Sequence, residues 1–519
     1  MTLSCCEPCV TSMVPILAGV VPALPLVGAL VPLLARTPRQ ADRLGLAVAV
    51  PTAAAALWLA VTVLARGGEP ALRGQWYLID GASGVLLAVI AVVGLCSALV
   101  SPSYLRTHRH GSSTATSSRT WYYTALFLFW AALLAVPIAG NLAVVWLLVE
   151  ATTGASALLV AFSGAREALE AGWKYLVLTT LGLSVALLGI VVLAINQANA
   201  GHHGLHALDW HTLQGAAHAL PAGSTLVAFV LLLAGLATKI GWAPVHNWLP
   251  DAHSEAPAPI SAMLSAALLP SVLLIAWRVK ETLEPSVGAA TTRAVFIGFG
   301  LASILVAVPF LWRALPWKRL LAYSSLEHMG VIALGIGFGT PLAIAGVLLH
   351  IAGHALAKSL GFYAALPLLR HDPHAAKHAP TGVAEASPST AAAMGVSLVA
   401  LAGLPPSPLF LSELLILLGG VAAGDPIVSA IAVIGLALGF LGLLHALLEG
   451  VVGEGTPHTR RTRLRGERPI VALTAILGGG LLALAAAGLL LPGSGFVETL
   501  ARGGLRARSN MSRRRPSPR

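Results

Sequence analysis

Apolar runs of about twenty residues, separated by short polar stretches, recur along nearly the whole chain. A helix rises 1.5 Å per residue, so about twenty residues span the ~30 Å hydrocarbon core of a bilayer. Fourteen such segments are predicted, at roughly 14–36, 43–65, 82–101, 121–138, 142–163, 174–195, 225–247, 257–279, 294–312, 319–339, 342–367, 390–420, 426–449 and 469–492. They are too long, and alternate too little, for membrane β-strands. The expected fold class is therefore an all-α polytopic membrane protein with about fourteen transmembrane helices. Segments 11 and 12 are long enough to be tilted or broken.

Segment 7 departs from the pattern. It places Lys239 inside the apolar run, then Gly241 and Pro244, then a polar turn from Pro250 to Pro259, before segment 8 begins. A cation and a helix break at membrane depth each cost free energy, so both point to a site. Segment 12 repeats the device: Leu401-Ala402-Gly403-Leu404, the counterpart of Leu233-Ala234-Gly235-Leu236, is followed by Pro405, Pro406 and then Glu413. Lys174 and Lys358 share this five-segment offset, as do Glu150 and Glu327. Five is odd, so such a repeat must invert across the membrane, a pattern that points to a transport site near the midplane. The organisation expected is a leader at 1–13, helices 1–3 at 14–120, a first inverted five-helix repeat at 121–279 and a second at 280–450. A basic loop with helix 14 follows at 451–492, then a basic tail at 493–519. Helices 7 and 12 are the broken ones.

Composition agrees: 56% of the 519 residues are hydrophobic and 10% charged, against about 25% charged in soluble domains. The net charge of +11 raises the question of nucleic acid, but the basic residues sit in short loops and in a tail of seven arginines from Arg502 to Arg519, where membrane topology and anionic lipid explain them. With the N-terminus outside, the cytoplasmic loops hold groups such as Arg36, Arg39 and Arg43 or Arg313, Lys318 and Arg319. Arg66, Arg73, Arg278, Lys280 and Arg293 then fall outside, as do the tail arginines, which run against the rule. A multi-pass protein of the cell membrane, of the bacterial inner-membrane type, is expected. Cys5, Cys6 and Cys9 lack a fourth ligand nearby, so no metal is expected there. Met13 directly precedes the first apolar run and is a plausible true start, and no cleavable signal peptide is read.

What remains inside the apolar segments is a balanced set of ionisable groups: Lys174, Lys239 and Lys358 with Glu150, Glu327 and Glu413. Two readings stand side by side, interhelical salt bridges and a polar path. His350, His354 and Lys358 follow at i, i+4 and i+8, hence on one helix face. Imidazole takes a proton on one nitrogen and releases one from the other, so the stripe suits proton transfer; hydrogen-bonded core histidines are the structural alternative. A metal there lacks a local third ligand. Glu150 is the natural partner for Lys239. The histidines of the 202–218 loop read as solvated.

With these residues in hand, the chain resembles the antiporter-like membrane subunits of NADH-quinone oxidoreductase, Mrp-type sodium/proton antiporters and membrane-bound nickel-iron hydrogenases, with the hydrogenase-4 component F branch nearest. The carrying motifs are WLLVEATTGASALLVAF (146–162), EAGWKYLVL (170–178), KIGWAPVHNWLPDAHSEAPAPISAMLSAALL (239–269), KRLLAYSSLEHMG (318–330), LLHIAGHALAKSLGF (348–362) and LAGLPPSPLFLSE (401–413). The resemblance implies a fourteen-helix bundle with two inverted repeats and a Glu150–Lys239 pair. It also implies a central and exit relay of Lys358, its histidines and Glu413. It implies a chain that binds no cofactor and moves protons in response to redox chemistry in a peripheral hydrogenase or other redox arm, among other membrane subunits.

Three departures stand out. No basic residue follows the broken helix between Ser265 and Ser271, Pro316 replaces a frequent Asp, and no extra helices or lateral arm follow helix 14. A cation/proton antiporter subunit, a membrane partner of an inorganic-carbon uptake complex and a passive anchor for a redox arm are the competing functions.

Overall fold

A computed structural model of the chain describes residues 7–66, 71–74, 76–107, 115–371, 381–454 and 468–490. Cys5, Cys6, the arginines of the basic loop from Arg460 to Arg465 and the seven tail arginines lie outside the described residues. The first helix, α1 (Glu7–Gly28), begins within the expected leader. It is followed by α2 (Pro38–Leu64), a two-residue hairpin of β1 (Leu72–Arg73) and β2 (Leu78–Ile79), α3 (Gly81–Thr107), α4 (Ala115–Ala135), α5 (Leu142–Val160) and α6 (Arg166–Asn199). Then come α7 (Trp210–Ala216), α8 (Ala222–Ile240), α9 (Trp248–Glu255), α10 (Ala258–Met263), α11 (Leu269–Val287), α12 (Ala289–Leu311), α13 (Trp317–Phe338) and α14 (Pro341–His371). The described chain closes with α15 (Val383–Ala386), α16 (Pro388–Leu401), α17 (Pro408–Ala422), α18 (Pro426–His445) and α19 (Arg468–Leu490).

Every predicted apolar segment falls on helix, and among the described residues twelve helices are long and apolar enough to cross a membrane. The exceptions are informative. Segment 4 lies in α4, and segment 12 is divided into the short apolar helices α16 and α17. Segment 7 ends as α8 at Ile240, where Gly241 takes φ +76. A glycine in this left-handed conformation closes a helix without a Cβ penalty, and a Cβ there would also lie 2.5 Å from Leu249. The chain then turns through Pro244 into α9 and α10. Pro405 and Pro406 sit in the equivalent turn between α16 and α17, and the Ala243–Pro244 and Pro405–Pro406 peptides are both cis.

The centre of the bundle is formed by α10, α11 and α13. The spanning window of α13 is wholly buried and that of the α10–α11 region is 94% buried, whereas α1, α12 and α18 bury only a third of theirs. Apolar faces of the outer helices, such as Leu181 and Leu188 on α6, are exposed, as lipid contact requires. Close approach is secured by small residues: on the α6–α8 interface a Cβ at Gly235 would stand 2.4 Å from the Gly182 carbonyl oxygen. That approach brings the start of α6 to the end of α8.

Several basic residues expected in loops are helical and enclosed. Arg278 and Lys280 lie in α11 and are each 6% exposed, and Lys318 lies in the first turn of α13 and is 5% exposed. Arg278 and Lys318 have partners that local sequence does not reveal, whereas Lys280 meets an acid one turn along its own helix. Arg278 reaches Asp80 at 3.1 Å and Ser83 at 2.7 Å. Lys280 pairs with Glu284 at 2.7 Å. Lys318 donates to the carbonyls of Ser254 and Ala256 at the end of α9, where a cation complements the helix dipole.

Candidate functional site

The polar groups fall into two stations. At the first, Lys239 occupies the last turn of α8 and is fully buried. Its Nζ donates to Thr153 Oγ1 on α5 at 2.8 Å and to the Tyr175 hydroxyl on α6, and stands 4.4 Å above the centre of that ring. Tyr175 in turn shares a 2.7 Å hydrogen bond with Ser156. Glu150, half-buried on α5, accepts from Thr180 at 3.4 Å. No direct Glu150–Lys239 ion pair is present. The two groups share the station while neutral hydroxyls hold the lysine.

Lys174 corrects an expectation. It is not enclosed in the bundle: its side chain is 47% exposed, near the start of α6, and pairs with Glu170 at 2.6 Å and Asp251 at 3.5 Å. An i, i+4 Glu–Lys pair of this kind is a peripheral feature. Its neighbour Tyr175 points the other way and does the buried work. Lys174 and Lys358, matched by the repeat pattern, therefore occupy different environments.

The second station gathers α13, α14 and α17. Lys358 is fully buried and donates to the Leu321 carbonyl at 2.6 Å and to Ser324. One and two turns earlier on α14 come His354 and His350, both fully buried. His350 Nδ1 lies 2.9 Å from Ser412 Oγ on α17, and its Nε2 lies 3.0 Å from Nδ1 of His328 on α13. The Ser412 hydroxyl donates to the Leu409 carbonyl at 2.8 Å, so its oxygen accepts the His350 Nδ1 proton. His350 Nε2 then carries the lone pair, and His328 Nδ1–H donates to it. The tautomers follow from the network. His354 completes the cluster, 5.1 Å ring to ring from His328.

Two carboxylates flank the cluster, each seated against a glycine. Glu327, 3% exposed on α13, fills the space beside Gly439 of α18: a Cβ there would stand 1.9 Å from its Oε1. Glu413 lies against Gly403, where a Cβ would stand 2.6 Å from its Oε2, and is only partly enclosed. Neither acid makes a direct ion pair with Lys358 or Lys239. Among the described residues the salt bridges are all elsewhere, so the interhelical salt-bridge reading does not hold for these five groups.

Ser265, where a basic residue was missed, lies in a π-helical turn at Leu264–Leu268. Wide turns of this kind are frequent at functional positions. Its hydroxyl pairs with Ser325 at 2.7 Å, and Ser325 donates at 2.9 Å to Leu321, the carbonyl that also receives Lys358. A hydroxyl ladder thus stands where the basic side chain does not. His253 on α9 is fully buried with both nitrogens unpartnered, its ring 5.4 Å from Phe362, one turn beyond Lys358. The sequence reading passed over His328, His253, Tyr175 and Ser412. His328 carried a usable signal, being a histidine inside an otherwise apolar helix; the others matter through contacts made across the fold.

Comparison with known proteins gives a consistent picture. Residues 139–439 match the family model described as NADH:quinone oxidoreductase/Mrp antiporter, transmembrane region. The chain is 32% identical to the hydrogenase-4 component F homolog of Methylacidiphilum infernorum over 73% of its own length and 80% of that protein. It is 29% identical to NADH-quinone oxidoreductase subunit N of Desulforudis audaxviator, covering 80% and 83%. The fold matches a chain of the archaeal membrane-bound sulfane sulfur reductase with a TM-score of 0.81 at 21% identity, over 95% and 99% of the two chains. It matches a chain of the Mrp complex of Dietzia sp. DQ12-45-1b with a TM-score of 0.79 at 21% identity, over 96% and 98%.

Proposed function

The chain belongs to the NADH:quinone oxidoreductase/Mrp antiporter family, and on that premise we propose that it is a proton-translocating membrane subunit of a respiratory complex of the membrane-bound hydrogenase type. It is a multi-pass membrane protein, working among other membrane subunits and driven by redox chemistry in a peripheral arm. It needs no cofactor of its own. The stations would be Glu150 and Lys239 in the first half, Glu327, His328, His350, His354 and Lys358 at the centre, and Glu413 beyond them. The breaks at Gly241–Pro244 and Pro405–Pro406 leave backbone groups outside the helix ladder, which draws water to the same depth. Lys174 would serve at the periphery, ion-paired with Asp251.

The observation that carries this reading is that buried Lys239 and Lys358 are held by hydroxyls and a carbonyl rather than by direct ion pairs. A contact ion pair in a low-dielectric interior would have to be broken at each transfer, and breaking buried pairs costs about 3–5 kcal/mol. Hydroxyls accept from an ammonium and donate to an amine, so a proton can arrive and leave without that step.

The test is proton uptake by proteoliposomes of the whole complex during redox turnover. Lys239→Ala and Lys358→Ala should each lower protons moved per turnover while turnover persists. Undiminished stoichiometry in both would leave the passive-anchor reading standing. A sodium-coupled antiporter is less well matched, because hard cations take oxygen ligands and the central station is built largely of ring nitrogens.

A further inference from the structure

His328, His350 and Glu413 reach one point from three helices, α13, α14 and α17. One ligand atom from each lies within 4.8 Å of the other two. Two imidazole nitrogens and a carboxylate oxygen are a donor set of Zn²⁺, with bonds of about 2.0–2.2 Å and a fourth position for water. Tetrahedral bonds of that length put donors roughly 3.4 Å apart. The His328–His350 separation of 3.0 Å is close to that; ligation needs the two rings to turn so that both nitrogens face the ion instead of each other, with Glu413 closing from within 4.8 Å.

The surroundings favour a ligand. Ser412 accepts the His350 Nδ1 proton, so Nε2 keeps its lone pair and directs it toward His328. Such an outer partner is what orients metal-binding imidazoles. His328 faces the same point through Nδ1. Moving the ring proton from Nδ1 to Nε2 frees the second ligand nitrogen without removing a proton from either ring. Gly403 makes room for the Glu413 carboxylate, which is only partly enclosed.

We propose that His328, His350 and Glu413 form a binding site for a borderline-soft divalent cation, Zn²⁺ foremost, and that its occupancy blocks proton movement through the central station. The cation replaces the hydrogen bond between the two rings, so the pair no longer exchanges a proton. The blocking clause rests on the function proposed above; the binding clause does not. Mg²⁺, Ca²⁺ and Na⁺ are excluded by a nitrogen-rich set.

The test is titration of the purified complex with Co²⁺, a spectroscopic substitute for Zn²⁺, followed by addition of Zn²⁺. The expected result is one equivalent of intense tetrahedral-type visible absorption, displaced by Zn²⁺ and indifferent to Mg²⁺. His350→Gln and Glu413→Gln should each weaken it at least tenfold. A variant with His202, His203, His206, His211 and His218 replaced by Ala should keep it. Absence of the signal in the wild type, or its loss in the loop variant alone, overturns the site; the wild-type spectrum is decisive even if a substituted chain fails to fold. Zn²⁺ should also suppress proton uptake by proteoliposomes in the wild type and in the loop variant. Binding at the triad with uptake unaffected would overturn the blocking clause and the relay reading together while leaving the site intact.

Discussion

His328 Nδ1 stands 3.0 Å from His350 Nε2, joining α13 to α14 through two fully buried rings. Residues 22 positions apart in sequence thus form a single proton-exchanging unit, with Ser412 setting its polarity. Imidazole is suited to this because it loses one proton as it gains another.

Replacing His328 should therefore be costly to transport and cheap to the fold. His328→Gln keeps a polar side chain of similar reach but cannot relay a proton. Proton uptake per turnover by reconstituted complex should fall at least tenfold, in line with the ~10²–10⁴ contribution of a positioned proton-transfer group. Retained uptake in a correctly assembled variant would remove His328 from the path.

At the first station, Tyr175→Phe takes away one of the two side-chain acceptors of Lys239 and leaves the ring in place. An unmet buried donor costs about 1–3 kcal/mol. Thermal unfolding in detergent should shift down accordingly, and uptake should slow. Thr153→Val should act in the same direction, while Lys174→Ala, which removes only a half-exposed pair, should leave the unfolding midpoint nearly unchanged. Equal losses for the buried and the peripheral changes would contradict the placement of Lys239.

Gly439 offers a test by space alone. A methyl group there would meet Glu327 Oε1 at 1.9 Å, so Gly439→Ala must displace the carboxylate. Uptake should drop as it does in Glu327→Gln. Shortening the acid in Gly439→Ala/Glu327→Asp should recover part of the loss. A double variant no better than Gly439→Ala alone would mean that the glycine serves only helix packing.

The Asp80–Arg278 pair predicts a pH effect on stability. Burial by itself raises the Asp80 carboxyl, but the Arg278 guanidinium and the Ser83 hydrogen bonds outweigh it and hold the group below its ordinary value. A lowered folded-state value means that the stabilisation is complete above the ordinary carboxylate pKa of about 3.9 and is lost as pH falls through the folded value. The unfolding midpoint should decline below about pH 4, and Asp80→Asn should be less stable than wild type at neutral pH, with the two converging in acid. Parallel pH profiles for the two proteins would show that the pair contributes nothing.

Local sequence is enough to place the helical segments, their polytopic arrangement and the two breaks, because hydropathy and the helix-ending properties of glycine and proline act over a few residues. It also determined which side chains could carry a proton, since an ionisable group in an apolar run is conspicuous wherever the run folds. Which of these groups are enclosed, and what they face, depends on how the helices pack. Lys174 and Tyr175 are neighbours in the chain, yet the helix turns one outward to Asp251 and the other inward to Lys239. Glu150 was matched to Lys239 by charge, but Thr153 and Tyr175 hold the lysine. His328 became visible as a site residue when α14 and α17 brought His350 and Glu413 against it. Local sequence carries the cost of burying a group; the partner that offsets this cost comes from another helix, and packing chooses it.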